Sequence, residues 1–182
     1  MVERLASLEA IAAELWRELE RAAAGRDHAW RTPVLATSDG DAADARTVVL
    51  REIDTGQRQL LIYTDTRAPK VAQLQRHPHG TLLMWSPALG WQLRCRVHLA
   101  VEDSGLSVAS RWATLRHSPA AQDYLSTRPP GAALDAAEPI AASREHFGVI
   151  TARVQTIDWL ELHRDGHRRA AFGDGPPRWL QP

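Results

Sequence analysis

Between Trp91 and Val101 the chain alternates strictly. Leu93, Cys95, Val97 and Leu99 are apolar, and Gln92, Arg94, Arg96 and His98 between them are polar. Successive side chains on a strand point to opposite faces, so this segment is a long strand with one buried and one polar face. Such a strand needs neighbours on its edges and a second layer over its apolar side. The chain must therefore build a curved or layered sheet. Cys95 falls on the inward set, which makes it core rather than nucleophile.

The remaining segments supply that sheet. Leu5, Leu8, Ile11, Leu15 and Leu19 recur at helical steps and predict an amphipathic N-terminal helix over 5–24, ended near Gly25. Strands are expected over 33–37, 46–54, 59–64 and 80–85, with turns at 38–41 and around Thr55-Gly56. Asp65 or Thr66 is expected to cap a helix that tolerates Pro69 in its first turn and stops near Arg76. Helices over 106–116 and 119–125 precede a loop over 127–139, marked by Pro129-Pro130-Gly131. A long strand or bent strand pair over 147–162, a last strand over 167–172 and a short tail after Pro176-Pro177 complete the reading. Six or more strands with few, irregular helices give an α+β, mainly β, barrel rather than βαβ repeats. No repeat or linker divides it, so 1–182 reads as one domain.

Composition removes several function classes. The 182 residues carry 22 basic and 22 acidic side chains, which argues against a nucleic-acid surface. One cysteine forms no intramolecular disulfide and no Cys-rich zinc site. No leader and no apolar run near 20 residues are seen, so a cytoplasmic protein without a membrane partner is expected. The eight histidines show no His-Glu-x-x-His pattern, and no metal site is expected. Gly-x-Ser-x-Gly and Gly-x-Gly-x-x-Gly are both absent, which leaves hydrolase-elbow and Rossmann readings without their fingerprints.

One cluster carries chemistry. If 46–54 and 59–64 pair as a hairpin, Arg46, Thr64, Thr66, Arg67 and Lys70 come within reach of one another at a helix start. Hydroxyls, cations and a helix N-terminus suit a phosphate dianion. A lysine in the first helical turn opposes the helix dipole unless an anion sits nearby. Gln92, on the polar face of its strand, can offer donor and acceptor to a heterocycle edge. The bland alternative is solvated strand-end cations, capping hydroxyls and an exposed glutamine.

Arg46-Thr-Val-Val-Leu-Arg51, Tyr63-Thr64, the Thr64-to-Lys70 turn and Trp91-Gln92-Leu93-Arg94 resemble, in that order, the pyridoxamine 5′-phosphate oxidase family. The resemblance covers about residues 30–102 and, more weakly, 147–182. It is strongest to the oxidase-related FMN-binding proteins, and it implies an FMN-binding split β-barrel with inserted helices. It implies that Arg46 and Lys70 hold the FMN phosphate, aided by Thr64 and Arg67. Backbone at Thr47, Val48 and Val49 would meet the flavin ring, with Tyr63 beside it. Gln92 would bond the ring's polar edge from the partner subunit of a homodimer with two interface sites. Trp159 or Leu160, with Arg168, would supply late cofactor contacts. The implied activity is an FMN-dependent oxidoreductase with a small-molecule substrate. The alternatives are a non-catalytic flavin-binding, storage or sensing protein and a pyridoxamine 5′-phosphate oxidase with a rebuilt substrate site. The family's Arg-x-His-Asp-Arg tail is replaced by His167-Arg-Arg-Ala-Ala-Phe172, leaving Arg51, Arg116 and His167 as candidate substitutes.

Overall fold

The computed structural model describes residues 4–133, 146–173 and 175–182. Residues 134–139 of the expected loop lie outside the described residues. Among the described residues nine strands form one antiparallel sheet: β1 (Val34–Ser38), β2 (Ala43–Thr47), β3 (Leu50–Asp54), β4 (Gln59–Asp65), β5 (His79–Ser86), β6 (Trp91–Glu102), β7 (Phe147–Glu161), β8 (Arg168–Gly173) and β9 (Gly175–Leu180). The main path runs β2-β1-β5-β6-β7-β4-β3, with β8 paired to β7 and β9 to β8. The two ends of that path, β2 and β3, are consecutive in sequence and separated only by Val48 and Val49. Three chain steps reach at most about 11 Å. The sheet must therefore curl until its ends nearly meet, and the result is a split barrel.

This closure corrects one expectation. The segment 46–54 is two strands, not one: β2 pairs with β1, and β3 pairs with β4. Arg46 therefore sits opposite Leu35 on β1 and not on the β3–β4 hairpin. At the corner Val48 turns inward and its N–H donates to Pro33 O at 2.9 Å. The apolar run Val48-Val49-Leu50 hides such a change of partner, because Val48 and Leu50 are both buried at the corner.

The alternation of 91–101 is realised in β6, where Leu93, Cys95, Val97 and Leu99 are buried. Burial pushes the Cys95 thiol up to about 12, as expected of a core residue. β7 pairs with β4 through 147–153 and with β8 through 157–161. Its register against β6 shifts between Arg96 and Val97, a bulge that bends the long strand between the two. Helix α1 (Leu8–Ala24) starts at Ser7, whose hydroxyl accepts from Ala10 N at 3.2 Å. It buries Ile11, Leu15, Leu19 and Ala22 in the main core. Each such aliphatic side chain contributes about 1.5–3 kcal/mol when fully buried.

A second, smaller core lies where α3 (Gly105–Leu115) and the 3₁₀ segment Pro119–Tyr124 cover β4 and β7. Val108, Trp112 and Tyr124 meet Leu61, Phe147 and Val149 there. β9 was expected as a tail. Pro176 and Pro177 lack N–H groups, yet β9 pairs only with β8, and an edge strand tolerates that. No helix among the described residues is long and apolar enough to cross a membrane.

Candidate functional site

The predicted cations gather around helix α2 (Pro69–Arg76), which follows β4. Proline in the first turn starts it with φ already set. The expected cap by Asp65 or Thr66 does not form. The N-cap is Ala68, with no side-chain bond, because Asp65 lies too far back. Its Oδ1 accepts instead from Arg67 N at 2.8 Å, and its carbonyl from Ala68 N at 3.1 Å. The helix thus opens without a side-chain acceptor at its positive end. Thr66 N donates to His146 O at 2.8 Å, tying the turn to β7. Gly148 permits this approach, since a Cβ there would stand 2.6 Å from Thr66 Cγ2. Thr64 is buried and its hydroxyl donates to Asp65 O at 3.0 Å.

Arg46 reaches the same place from β2. Its Nη1 donates to Thr37 Oγ1 at 2.7 Å and Leu35 O at 3.2 Å, and its Nη2 to Gln73 Oε1 at 3.1 Å and to Asp44. Gln73 Nε2 donates to Asp44 at 3.0 Å, and this bond heads the causes that hold the Asp44 carboxyl below its usual range. Lys70 sits three residues before Gln73 on α2, half-buried. Burial pushes its ammonium down, the Arg46 charge pushes it further, and Asp65 pulls the other way. Among the described residues Lys70 has no carboxylate at ion-pair distance. Asp44 is drawn to Arg46 and Asp65 to Arg67.

The other predicted residues divide. Arg67 donates to both Asp65 oxygens and to the carbonyls of Ser126, Thr127 and Arg128. Tyr63 lies beneath Arg51, 5.6 Å from its ring centroid, and donates its hydroxyl to Glu52 at 2.5 Å. Arg111 donates to the same Glu52 at 2.7 and 2.8 Å. Thr47 is exposed and Val49 half-buried at the corner. Of the backbone over 47–49 expected to meet a ring, the Val48 N–H is bonded to Pro33 O.

Gln92 is not in this cluster. It lies on the outer face of β6 between Trp85 and Leu160, and Leu99, seven residues along, is the one bonded to Pro78 beside α2. At ~3.3 Å per residue the two ends of β6 are more than ~20 Å apart. Arg168 is also remote. It clasps Glu161 at 2.8 and 2.9 Å, donates to Leu5 O at 2.7 Å and stacks near Trp159 and Trp179. Trp159 is fully buried, so Leu160 is the member of that pair that nears the surface. Arg169 turns to the opposite face and pairs with Asp158. Arg116 is exposed, and His167 Nδ1 accepts from His163 N. No three His, Cys, Asp or Glu side chains converge as metal ligands among the described residues.

Sequence reasoning missed Thr37, Asp44 and Gln73, which set the Arg46 guanidinium. Two of them carried a signal. Asp44 and Arg46 are two apart on a strand and share a face, and Lys70 and Gln73 are three apart on a helix. Thr37 depends on the β1–β2 pairing and had none. Tyr124 was also missed; burial raises its hydroxyl while the nearby Arg51 charge lowers it.

The family described as pyridoxamine 5′-phosphate oxidase, FMN-binding domain, matches residues 13–103, half of the chain. No curated protein matches the sequence. Among solved structures, a pyridoxamine 5′-phosphate oxidase-related FMN-binding protein from Nostoc punctiforme PCC 73102 is similar at 22% identity, covering 98% of this chain and 100% of its own, with a TM-score of 0.75. PhzG from Burkholderia lata 383, solved with tetrahydrophenazine-1-carboxylic acid, is similar at 17% identity over 100% of this chain and 99% of its own, with a TM-score of 0.77. General Stress Protein 26 from Bacillus anthracis str. Sterne is similar at 14% identity over 80% and 93%, with a TM-score of 0.56. At these identities the likeness is one of fold.

Proposed function

This chain belongs to the pyridoxamine 5′-phosphate oxidase FMN-binding family, and we propose that it is a flavoprotein that holds FMN by its phosphate at the α2 end of the barrel and acts as an oxidoreductase on a small molecule. The observation that carries this reading is Lys70. Its half-buried ammonium lies near the Arg46 guanidinium, with no carboxylate at ion-pair distance among the described residues, at the start of a helix with no side-chain cap. Two like charges held together at a positive helix end cost stability unless an anion joins them. A phosphate dianion satisfies both cations and the helix N–H groups. Arg46 and Lys70 would hold it, with Thr64 beside them. Backbone at Thr47 to Val49 and the Tyr63 side chain would flank the ring. When bound, FMN supplies the hydride or electron transfer, while the protein positions and tunes it.

A homodimer is part of the proposal. Gln92 stands at the far end of β6 from Lys70, so a role at the same flavin requires a second chain. Leu83 and Trp85 beside it are 37% and 43% exposed on the outer face of β5, an apolar patch suited to an interface. Arg67, whose donors are spent on Asp65 and on the backbone of 126–128, and Arg168, which lies at the far end of the barrel, are assigned positioning roles. The Arg168–Glu161 and Arg169–Asp158 pairs also tell against vitamin B6 oxidation, because neither tail arginine is available to a second phosphate.

The test is the purified full chain. An oxidised-flavin absorption spectrum, FMN mass in the released chromophore and a dimer by light scattering are expected. Colourless protein that takes up no added FMN would overturn the reading.

A further inference from the structure

Arg67 reads in sequence as one more cation in the phosphate turn, but its donors point elsewhere. Nε and Nη2 meet Asp65 Oδ1 and Oδ2 at 3.1 and 2.7 Å. Nη1 donates to Thr127 O at 3.0 Å, and Nη2 to Ser126 O at 2.8 Å and Arg128 O at 3.2 Å. Three consecutive carbonyls thus converge on one planar guanidinium. We propose that Arg67 is a positioning residue: it clasps the backbone of 126–128 against the turn that bears Thr64 and Lys70, and so fixes the chain beside the phosphate site. The identity of the ligand, though not the clasp, rests on the FMN reading.

Three physical points support the assignment. Asp65 is only 5% exposed, and Arg67 is the cation at ion-pair distance among the described residues. Turning Arg67 toward a ligand would leave a buried carboxylate uncompensated, which costs more than a surface contact returns. Residues 125–133 form neither helix nor strand, and the carbonyls of Ser126, Thr127 and Arg128 all accept from the Arg67 guanidinium. A guanidinium with five donors in a rigid fork can meet a carboxylate on one side and carbonyls on the other, which an ammonium cannot.

The clasp is coupled to the site because Arg67 lies in the same short turn as Thr64 and Lys70, its N–H bonded to Asp65 Oδ1 at 2.8 Å. An anion that orders this turn therefore also steadies the hold on 126–128. The clasped segment leaves the 3₁₀ turn whose Tyr124 packs on Phe147 at 5.4 Å between ring centroids.

The test combines amide hydrogen exchange of 125–133 in the full chain with FMN and riboflavin titrations of wild type, Arg67→Gln and Arg67→Lys. In wild type, FMN slows exchange of this segment and riboflavin does not. In Arg67→Gln the ligand-free exchange rises at least about tenfold, as for one lost charge-assisted bond, and FMN no longer slows it. Arg67→Lys does not restore protection. The FMN-to-riboflavin affinity ratio stays within about threefold of wild type in both variants, because no phosphate contact is lost. Unchanged exchange in ligand-free Arg67→Gln overturns the proposal. So does an affinity ratio that falls tenfold in Arg67→Gln and returns in Arg67→Lys, the signature of a phosphate ligand. If wild type binds neither flavin, the FMN reading fails while ligand-free exchange still judges the clasp.

Discussion

Two ends of the barrel carry clustered arginine and lysine, and they treat the charge in opposite ways. At the α2 end, burial and the nearby Arg46 charge depress Lys70, which has no carboxylate at ion-pair distance among the described residues. At the other end, Arg4 and Arg168 converge on Glu161, at 2.8 Å each, and Trp91 Nε1 adds a donor at 3.4 Å. Glu161 is 5% exposed and fully engaged. There the cations complete a structural joint between the N-terminal segment and β7–β8. Near α2 an excess of positive charge is left over. Cation count does not separate a binding site from a joint; whether a cation is left over once the carboxylates are paired does.

The largest effect expected from this contrast is on stability. Glu161→Ala removes the shared acceptor and leaves two partly buried arginines and an indole N–H unpaired. The cost should fall near the lower end of ~3–5 kcal/mol, because both arginines keep some solvent. Denaturant unfolding checks it, and a loss under ~1 kcal/mol would mean the joint is only surface. Burial alone would raise Glu161, but hydrogen bonds from Arg168 and Arg4 outweigh it and lower its pKa. Its contribution is therefore complete above the unfolded value of about 4.3 and lost as pH falls through the lower folded value. The stability gap between wild type and Glu161→Gln should close in acid.

The opposite outcome is expected at α2. Lys70→Gln should weaken FMN binding by about 1.5–3 kcal/mol, one charge-assisted contact. The ligand-free fold should be no less stable, since a desolvated like charge has been removed. Calorimetric titration and an unfolding curve on one preparation report both. Strong destabilisation with unchanged affinity would make Lys70 a second joint.

A third, smaller effect concerns the tail. With Arg168 and Arg169 held by Glu161 and Asp158, pyridoxamine 5′-phosphate should be a poor substrate. One missing phosphate contact already implies at least about tenfold in kcat/KM. A steady-state assay giving ~10⁴ M⁻¹s⁻¹ or more would show that these pairs open in turnover.

The mildest test is pH. A lysine lowered by burial and by Arg46 loses its charge earlier than a solvated one near 10.4. FMN affinity should decline at alkaline pH below that value, and Lys70→Arg should flatten the profile. In the ligand-free protein the sign reverses. The unfolded chain binds the extra proton between the folded and unfolded values, so stability rises with pH across that window. A flat affinity profile in wild type would remove Lys70 from the phosphate site.

The fold was legible where one periodicity governs one element. The alternation of 91–101, the heptad-like leucines of α1 and the long strand ending at Glu161 all stand within a few residues of their expected bounds. It was not legible where a strand changes partner. Val48 and Val49 keep an apolar pattern while the chain crosses from β1 to β4. β9 was hidden by Pro176 and Pro177, which suit an edge but read as a break. In the candidate site, Arg46 and Lys70 do come together, yet through α2 and Gln73 rather than a hairpin. Arg67 and Arg168 carry the same charge and lie in matching segments. Their carboxylates, Asp65 and Glu161, meet them through local folding that no spacing rule reports.

The central claim is that the Lys70 ammonium, beside the Arg46–Asp44 pair, marks a phosphate site. Paired titration of ligand-free wild type with FMN and with riboflavin tests it most directly, because the two ligands differ only by the phosphate. The account predicts FMN tighter by at least about tenfold, with the preference largely lost in Lys70→Gln. Equal affinity for the two ligands would contradict it.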